Sequence, residues 1–273
     1  MSKKKYLLII FAITLICIIA GLWKIIDSLK GFGYQFEYQY SSSDGTTQNC
    51  DTETQGFGKV AVEDIEIDAD IADVYFYYGS QLEVKSIYPK EYLPTVSLKN
   101  GVLSIKQKGS PNSRIDININ SDEREEPYTI NVVIPKDTVV SNINFKAGYG
   151  DVHVDDVEAT ELEINRGEGD TELANCKLGK VHINGGHSDV SIDAEIDDID
   201  LDCASGDYEI RGNNKTIKAS SADGDIEIQG GFDSIDAKTN AGDITISSNN
   251  EIDMNKINAE AIIGNVIVNG KEL

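Results

Sequence analysis

Proline is scarce in this chain, five in 273 residues, and cysteine scarcer, with four. So few cysteines exclude a small scaffold stapled by disulfides, and so little proline excludes a collagen-like or proline-rich architecture. Only 24 lysines and arginines stand against 47 aspartates and glutamates, a net charge of −23. That balance excludes nucleic acid as a partner, because phosphates have to be met by cations. The 40% hydrophobic content excludes wholesale disorder. Acidic charge is missing from one place only: four lysines and no acid precede Asp27, so the remainder carries 20 basic and 47 acidic residues, a net −27.

That first stretch holds the one long apolar run. Lys3, Lys4 and Lys5 precede residues 6–26 (YLLIIFAITLICIIAGLWKII), interrupted only by Thr14 and Lys24. About twenty apolar residues at helical rise match the ~30 Å hydrocarbon layer of a bilayer. Trp23 and Lys24 fall where an interfacial aromatic and a snorkelling amine belong. The run predicts one transmembrane helix at the cell membrane, with residues 1–5 cytoplasmic and the acidic remainder extracytoplasmic. A cleavable signal peptide is the competing reading, but its apolar region is shorter and needs a small-residue cleavage site, which this sequence lacks. Cys17 lacks the small residue expected just before a lipidated cysteine. Residues 27–58 read as a stalk or linker. Residues 32–40 (FGYQFEYQY) alternate, whereas residues 41–55 (SSSDGTTQNCDTETQ) are polar without period and predict no element.

Beyond the stalk the chain repeats itself. Anchored on Asp151, Asp170, Asp189, Asp207, Asp225, Asp243 and Asn265, the steps are 19, 19, 18, 18, 18 and 22 residues. Glycine precedes the anchor in every copy except the third, where Ser188 stands. One and three residues after the anchor lie apolar or mixed side chains such as Val152 and Val154, Tyr208 and Ile210, Ile226 and Ile228, with His153, Glu209 and Glu227 between them. Eight and six residues before it lie Ile143 and Phe145, Leu162 and Ile164, Ile217 and Ala219, again around a polar residue. Each unit therefore holds two short strands with one buried face apiece. A unit of 18–19 residues cannot bury that face alone, but stacked copies can. The pattern predicts an all-β fold: a parallel β-solenoid over residues 141–269, two short strands per coil, followed by a tail at 270–273. An antiparallel β-sandwich is the alternative, though it would not require a fixed register.

An eighth copy appears upstream, with Asp73 as anchor and Ile65, Ile67, Val74 and Phe76 in the apolar columns. Residues 96–105 (VSLKNGVLSI) are two alternating runs around Asn100-Gly101, a strong hairpin signal. Residues 115–120 and 128–134 alternate too, separated by a charged loop at 122–127. Residues 59–140 are thus expected to form the N-terminal coils of the same body, with a hairpin excursion serving as its cap.

Little in this sequence carries chemistry. His153 and His182 point outward from different strands by register, His187 lies in a turn, and no pair has metal-ligand or acid–base spacing. Outside the apolar run, Cys50, Cys176 and Cys203 are odd in number, and Cys176 and Cys203 occupy different register positions, so stacking does not bring them together. Glycoside cleavage needs two carboxylates at a set separation in a cleft, whereas Glu163, Asp200, Asp236, Glu172, Glu209 and Glu227 recur as a surface pattern. No catalytic residue and no cofactor is expected. The aspartates Asp151, Asp170, Asp189, Asp207, Asp225 and Asp243 are the one repeated polar feature. They read first as corner residues accepting backbone N–H bonds and second as a calcium-bridging ladder, although the paired-glycine nonapeptide of calcium-binding β-rolls is absent.

The opening IEIDADIADVYFYYG, the NGVLSI turn, the INVVIPKD strand and the serial G-D-[VI]-x-[IV] coils resemble the putative-adhesin β-strand-repeat family (DUF4097-like) over residues 59–269. The resemblance rests on a repeat, so it speaks for architecture. Many members are membrane-anchored proteins of Gram-positive bacteria, one of them encoded with a cell-envelope stress-sensing system. It therefore implies a non-enzymatic adhesin or envelope scaffold, anchored in the bilayer through residues 6–26, whose partner is a cell-wall polymer or an envelope protein. An accessory role in envelope stress sensing is the alternative, and a polysaccharide-active enzyme the third.

Overall fold

A computed structural model of the chain describes residues 50–109, 128–248 and 252–273. The apolar run at 6–26, most of the stalk, the alternation at 115–120 and the loop at 122–127 lie outside the described residues. Apart from two single-turn 3₁₀ segments, every element is a β-strand.

The strands wind as a parallel β-solenoid. Each regular coil contributes a leading strand before its Gly-Asp corner and a trailing strand after it, and like strands pair in parallel. On the leading face Val140–Tyr149, Glu158–Glu168 and their successors pair so that Ile143, Leu162, Val181, Ile199, Ile217, Ile235 and Ile257 form one column. On the trailing face Val152, Thr171, Val190, Tyr208, Ile226, Ile244 and Val266 form another. All members of both columns are buried except Ile257 and Val266 of the last coil, which are half-buried. The core is the strip between the two faces, filled by alternate residues of every strand because the strand period of two sends each apolar residue inward. Burial on that scale, at roughly 25 cal/mol per Å² of apolar surface, is the main stabilising contribution.

The change in coil length has a local cause. Asn175 and Cys176 together oppose the single Ala194 of the next coil, shifting the register between Ala174 and Lys177. This β-bulge absorbs the extra residue of a 19-residue coil, with Asn175 at a φ of +54° and Cys176 tucked inside. The last, 22-residue step contains the 3₁₀ turn Met254–Lys256.

The N-terminal coils are stacked out of sequence order. Asp64–Ile71 lies between Val102–Gln107 and Val140–Tyr149, parallel to both, and Asp73–Gly79 lies likewise between Thr129–Pro135 and Val152–Asp155. The coil met first in the chain is therefore second in the stack, and Val102–Gln107 and Thr129–Pro135 belong to the outermost one. Thr95–Lys99 closes the leading edge as the antiparallel hairpin partner of Val102–Gln107. Asn100 and Gly101 turn that hairpin with φ of +52° and +83°, the left-handed pair a two-residue type I′ loop requires. Leu82–Tyr88 covers the trailing edge, antiparallel to Thr129–Pro135.

The stalk reading needs one correction. Asp51–Gly58 is a strand, paired antiparallel to Leu82–Tyr88. Residues 51–54 are exposed on both faces, so no alternation marks them in the sequence, and the pairing is made through the main chain.

Candidate functional site

The Gly-Asp corner is the feature repeated most often, and its geometry is uniform. The side chain of each aspartate accepts a hydrogen bond from the backbone N–H of the equivalent residue in the following coil. The bonds run from Asp73 to Asp151 (2.9 Å), then to Asp170, Asp189, Asp207, Asp225, Asp243 and finally Asn265, at 2.7 to 3.1 Å. The sequence argument placed a corner aspartate on a backbone N–H but not on its neighbour's. The ladder uses one carboxylate oxygen per coil to satisfy an N–H that the turn leaves outside the sheet pairing. Among the described residues no group of three or more His, Cys, Asp or Glu is arranged to hold a metal ion.

Glycine at the preceding position has a steric reason. At Gly224 φ is +148°, and a Cβ there would lie 2.1 Å from the carbonyl oxygen of Gly206 in the coil below. The stacked corners leave no room for a side chain. Ser188 stands in this column because the third coil turns with a negative φ instead.

Beneath the corner, four residues before the anchor, runs an inward polar column that sequence reasoning missed. Ser221 Oγ donates toward the carbonyls of Gly206 and Asp223, at 3.3 and 3.1 Å. Thr239 Oγ1 does the same for Gly224 and Ala241, at 3.0 and 3.2 Å. In the second regular coil the position is Arg166, only 6% exposed. Its guanidinium donates to the carbonyls of Gly150 (3.3 Å) and Asp170 (2.7 Å), to Thr171 Oγ1 (2.7 Å) and to Ser188 Oγ (2.5 Å). Its neighbour in the column is Gly185. Burial draws the Arg166 pKa below its ordinary value, and the nearby carboxylate of Asp151 acts the other way. Arg166 Nε has no hydrogen-bond partner. The clue available in the sequence was a column reading Ala147, Arg166, Gly185, Cys203, Ser221, Thr239, Ala261, polar or small where its neighbours are apolar.

One prediction concerns the corner. Asp207→Ala removes the acceptor for the Asp225 N–H and is expected to cost about 1 kcal/mol, whereas Asp207→Asn keeps an amide oxygen as acceptor. Thermal melts of the three proteins check the order. The calcium reading requires a rise of many degrees in millimolar Ca²⁺ over EDTA that vanishes in Asp207→Asn/Asp225→Asn; the ladder geometry predicts a small rise that Mg²⁺ reproduces by screening the acidic surface.

The second concerns alkaline pH. Tyr88 and Tyr208 are buried, their hydroxyls donating to the carbonyls of Ile71 (2.9 Å) and Ser220 (2.9 Å), and burial raises both pKa values. Burial likewise pushes the Cys176 thiol up to about 11. These acids ionise more readily in the unfolded chain, so their contribution is complete below the unfolded pKa values and is lost as pH rises through the folded ones. Denaturant midpoints are expected to hold level up to about pH 8 and then fall, with Cys176→Ala losing part of the slope.

The remaining sequence-selected residues are dispersed. His153 stacks on Tyr75 at 4.6 Å and meets Glu172 at 3.1 Å. His182 lies 3.7 Å from Asp200, which also binds Lys218 at 3.0 Å, and His187 contacts Ser205. Cys176 and Cys203 are buried thiols, while Cys50 is half-buried at the start of the first strand. Outward acids are taken up along their columns, Glu163 by Asn144 and Asp236 by Asn258. Asp193 and Glu195, with Lys177, line a shallow groove of about 430 Å³ at the bulged corner, open to solvent and with both acids exposed.

With this geometry in hand, similarity to known proteins is informative. The solved structure of a putative adhesin from Bacteroides fragilis superposes with a TM-score of 0.55 at 19% identity, covering 82% of this chain and all of that one. A putative cell adhesion protein from Clostridium sporogenes gives 0.39 at 11% identity, over 81% and 99% of the two chains. A putative lipid binding protein from Parabacteroides distasonis gives 0.40 at 18%, over 81% and 95%. No curated protein matches the sequence. The profile of the family described as Toastrack DUF4097 matches residues 62–271, from the first buried residue before the stack through its last coil. The chain belongs to the Toastrack DUF4097 family.

Proposed function

We propose that this protein is a membrane-anchored, extracytoplasmic scaffold with an adhesive or envelope-binding role, and that it is not an enzyme. The observation that carries the reading is the join of two unlike parts: a lysine-flanked apolar run long enough to cross a bilayer, then an acidic β-solenoid whose outward faces are polar lattices repeated coil after coil. Such a body presents an extended surface instead of a cleft. Its exposed acids are spread along columns, and the groove that gathers two acids and a lysine is open to water. The Bacteroides fragilis structure described as a putative adhesin shares the fold, which is compatible with the role.

The test is made on intact cells. External protease is expected to digest the body on protoplasts while residues 1–26 stay in the membrane fraction, and cells lacking the protein are expected to bind less to isolated wall polymer or to envelope membranes. Protection from external protease, or release of a soluble product lacking residues 1–26, would overturn the anchored reading. Equal binding by both strains would overturn the adhesive one.

A further inference from the structure

The strand Asp51–Gly58 is attached to the body mainly through its main chain. Residues 51–54 are exposed on both faces, and its one apolar side chain against the core is Phe57, at its far end. Among the described residues its strand pairing is with Leu82–Tyr88, Thr52 facing Ile87, Thr54 facing Lys85 and Gly56 facing Glu83. The strand also lies before residue 62, where the family match begins. It is an addition to a body whose alternating interior starts after it. Releasing residues 51–54 uncovers main-chain N–H and C=O groups of the Leu82–Tyr88 edge, with little apolar surface.

We propose that this edge is a strand-accepting site whose partner is residues 51–58 of a second copy, so that two chains exchange their first strands. Three observations support that occupant. Exchange reproduces every contact of the closed form, since the same eight residues meet the same edge, so only the connecting segment differs. That segment is short, residues 59–63 between Gly58 and Asp64, and short connections favour exchange because opening them relieves the turn. The pairing is also set by main-chain hydrogen bonds with a polar, uncommitted side-chain pattern, so it depends little on which copy supplies the strand. Within one chain the strand is favoured by an effective concentration in the millimolar range. Copies confined to a membrane approach that range and copies dilute in solution do not. That last step rests on the anchoring proposed above; the exchange itself rests on the pairing geometry.

The experiment uses full-length chains in which Cys17 and Cys50 are replaced by serine. One tagged chain carries Thr54→Cys and a differently tagged chain carries Lys85→Cys, both exposed and directly opposed positions. They are co-expressed and treated in membranes with a short bismaleimide. A third chain carrying both cysteines reports same-chain pairing. Exchange predicts a covalent dimer bearing both tags, on the order of a tenth or more of the same-chain product, and its loss when the chains are expressed separately and mixed in dilute detergent. Cross-linking confined to the doubly substituted chain, or no cross-linking in any chain, would overturn the proposal. Recovery of the chains from the soluble fraction would instead count against anchoring, and the cross-link can still be scored there.

Discussion

A Gly224→Val chain is expected to lose at least about 4 kcal/mol of folding stability, a large share of the ~5–15 kcal/mol margin of an ordinary domain. Two costs coincide at this position. Backbone at φ +148° is open to glycine and strained for any residue with a Cβ. The added Cβ would also lie 2.1 Å from the Gly206 carbonyl oxygen, a backbone atom held at the corner between two paired strands. Neither coil can shift without breaking the Asp207-to-Asp225 bond at the same corner. The informative control is Gly58→Ala, where φ is +77° but nothing lies within 4 Å of the new Cβ. Strain alone remains there, and about 1 kcal/mol is expected. Denaturant unfolding measures both; equal losses would show that stacked corners do not exclude a side chain.

Ile228→Asp should be nearly as damaging, and its neighbour supplies the contrast. Ile228 is 1% exposed between Ile210 and Ile246 of the adjoining coils. An aspartate there would have to stay charged without a partner or take up a proton, and either route loses the burial of an isoleucine besides. A loss of about 4 kcal/mol or more is expected. Glu227, one residue earlier, is exposed and stands beside Glu209 in the next coil. Glu227→Lys should change stability by no more than about 0.5 kcal/mol, because an exposed charge pair contributes little in water. The two substitutions differ by one step in register and opposite faces of one strand, so similar effects from them would contradict the inward and outward assignment.

The regular coils were legible because each of their rules acts locally and repeats. Ile217 and Ala219, or Ile226 and Ile228, betray one buried face within three residues, and the Gly-Asp step counts the coils. The hairpin at Asn100-Gly101 was legible for the same reason. The stacking order of the first coils was not, because nothing near Asp73 states that its strand is followed by Thr129 on one side and Val152 on the other; that pairing is settled across more than fifty residues. The strand at Asp51–Gly58 was hidden because it buries almost nothing, and main-chain pairing leaves no side-chain period. Arg166 was overlooked for a related reason. A lone arginine in an apolar repeat reads as an outward residue until the column of Gly185, Ser221 and Thr239 is aligned and its inward carbonyls are counted.

The ladder also explains how a body of this charge tolerates carboxylates in one line. Neighbouring aspartates at about 4.8 Å repel by ~1 kcal/mol even at water's dielectric. Each instead accepts a backbone N–H from the next coil, most of the row is exposed to water and salt, and Arg166 lies under its first members. The repeated residue thus sets vertical register.

The stacking itself is the central claim, and spin-label distances along one outward column test it most directly. With Cys50 replaced by serine, labels are placed at Tyr75→Cys paired in turn with Glu209→Cys, Glu227→Cys and Thr245→Cys. Tyr75 and His153 face each other across adjacent coils, and Glu172, Ser191, Glu209, Glu227 and Thr245 continue the column. At about 4.8 Å per coil the account predicts backbone separations near 19, 24 and 29 Å, rising by one constant step. Distances that fail to rise with coil number, or that place residue 75 at the far end of the column, would contradict it.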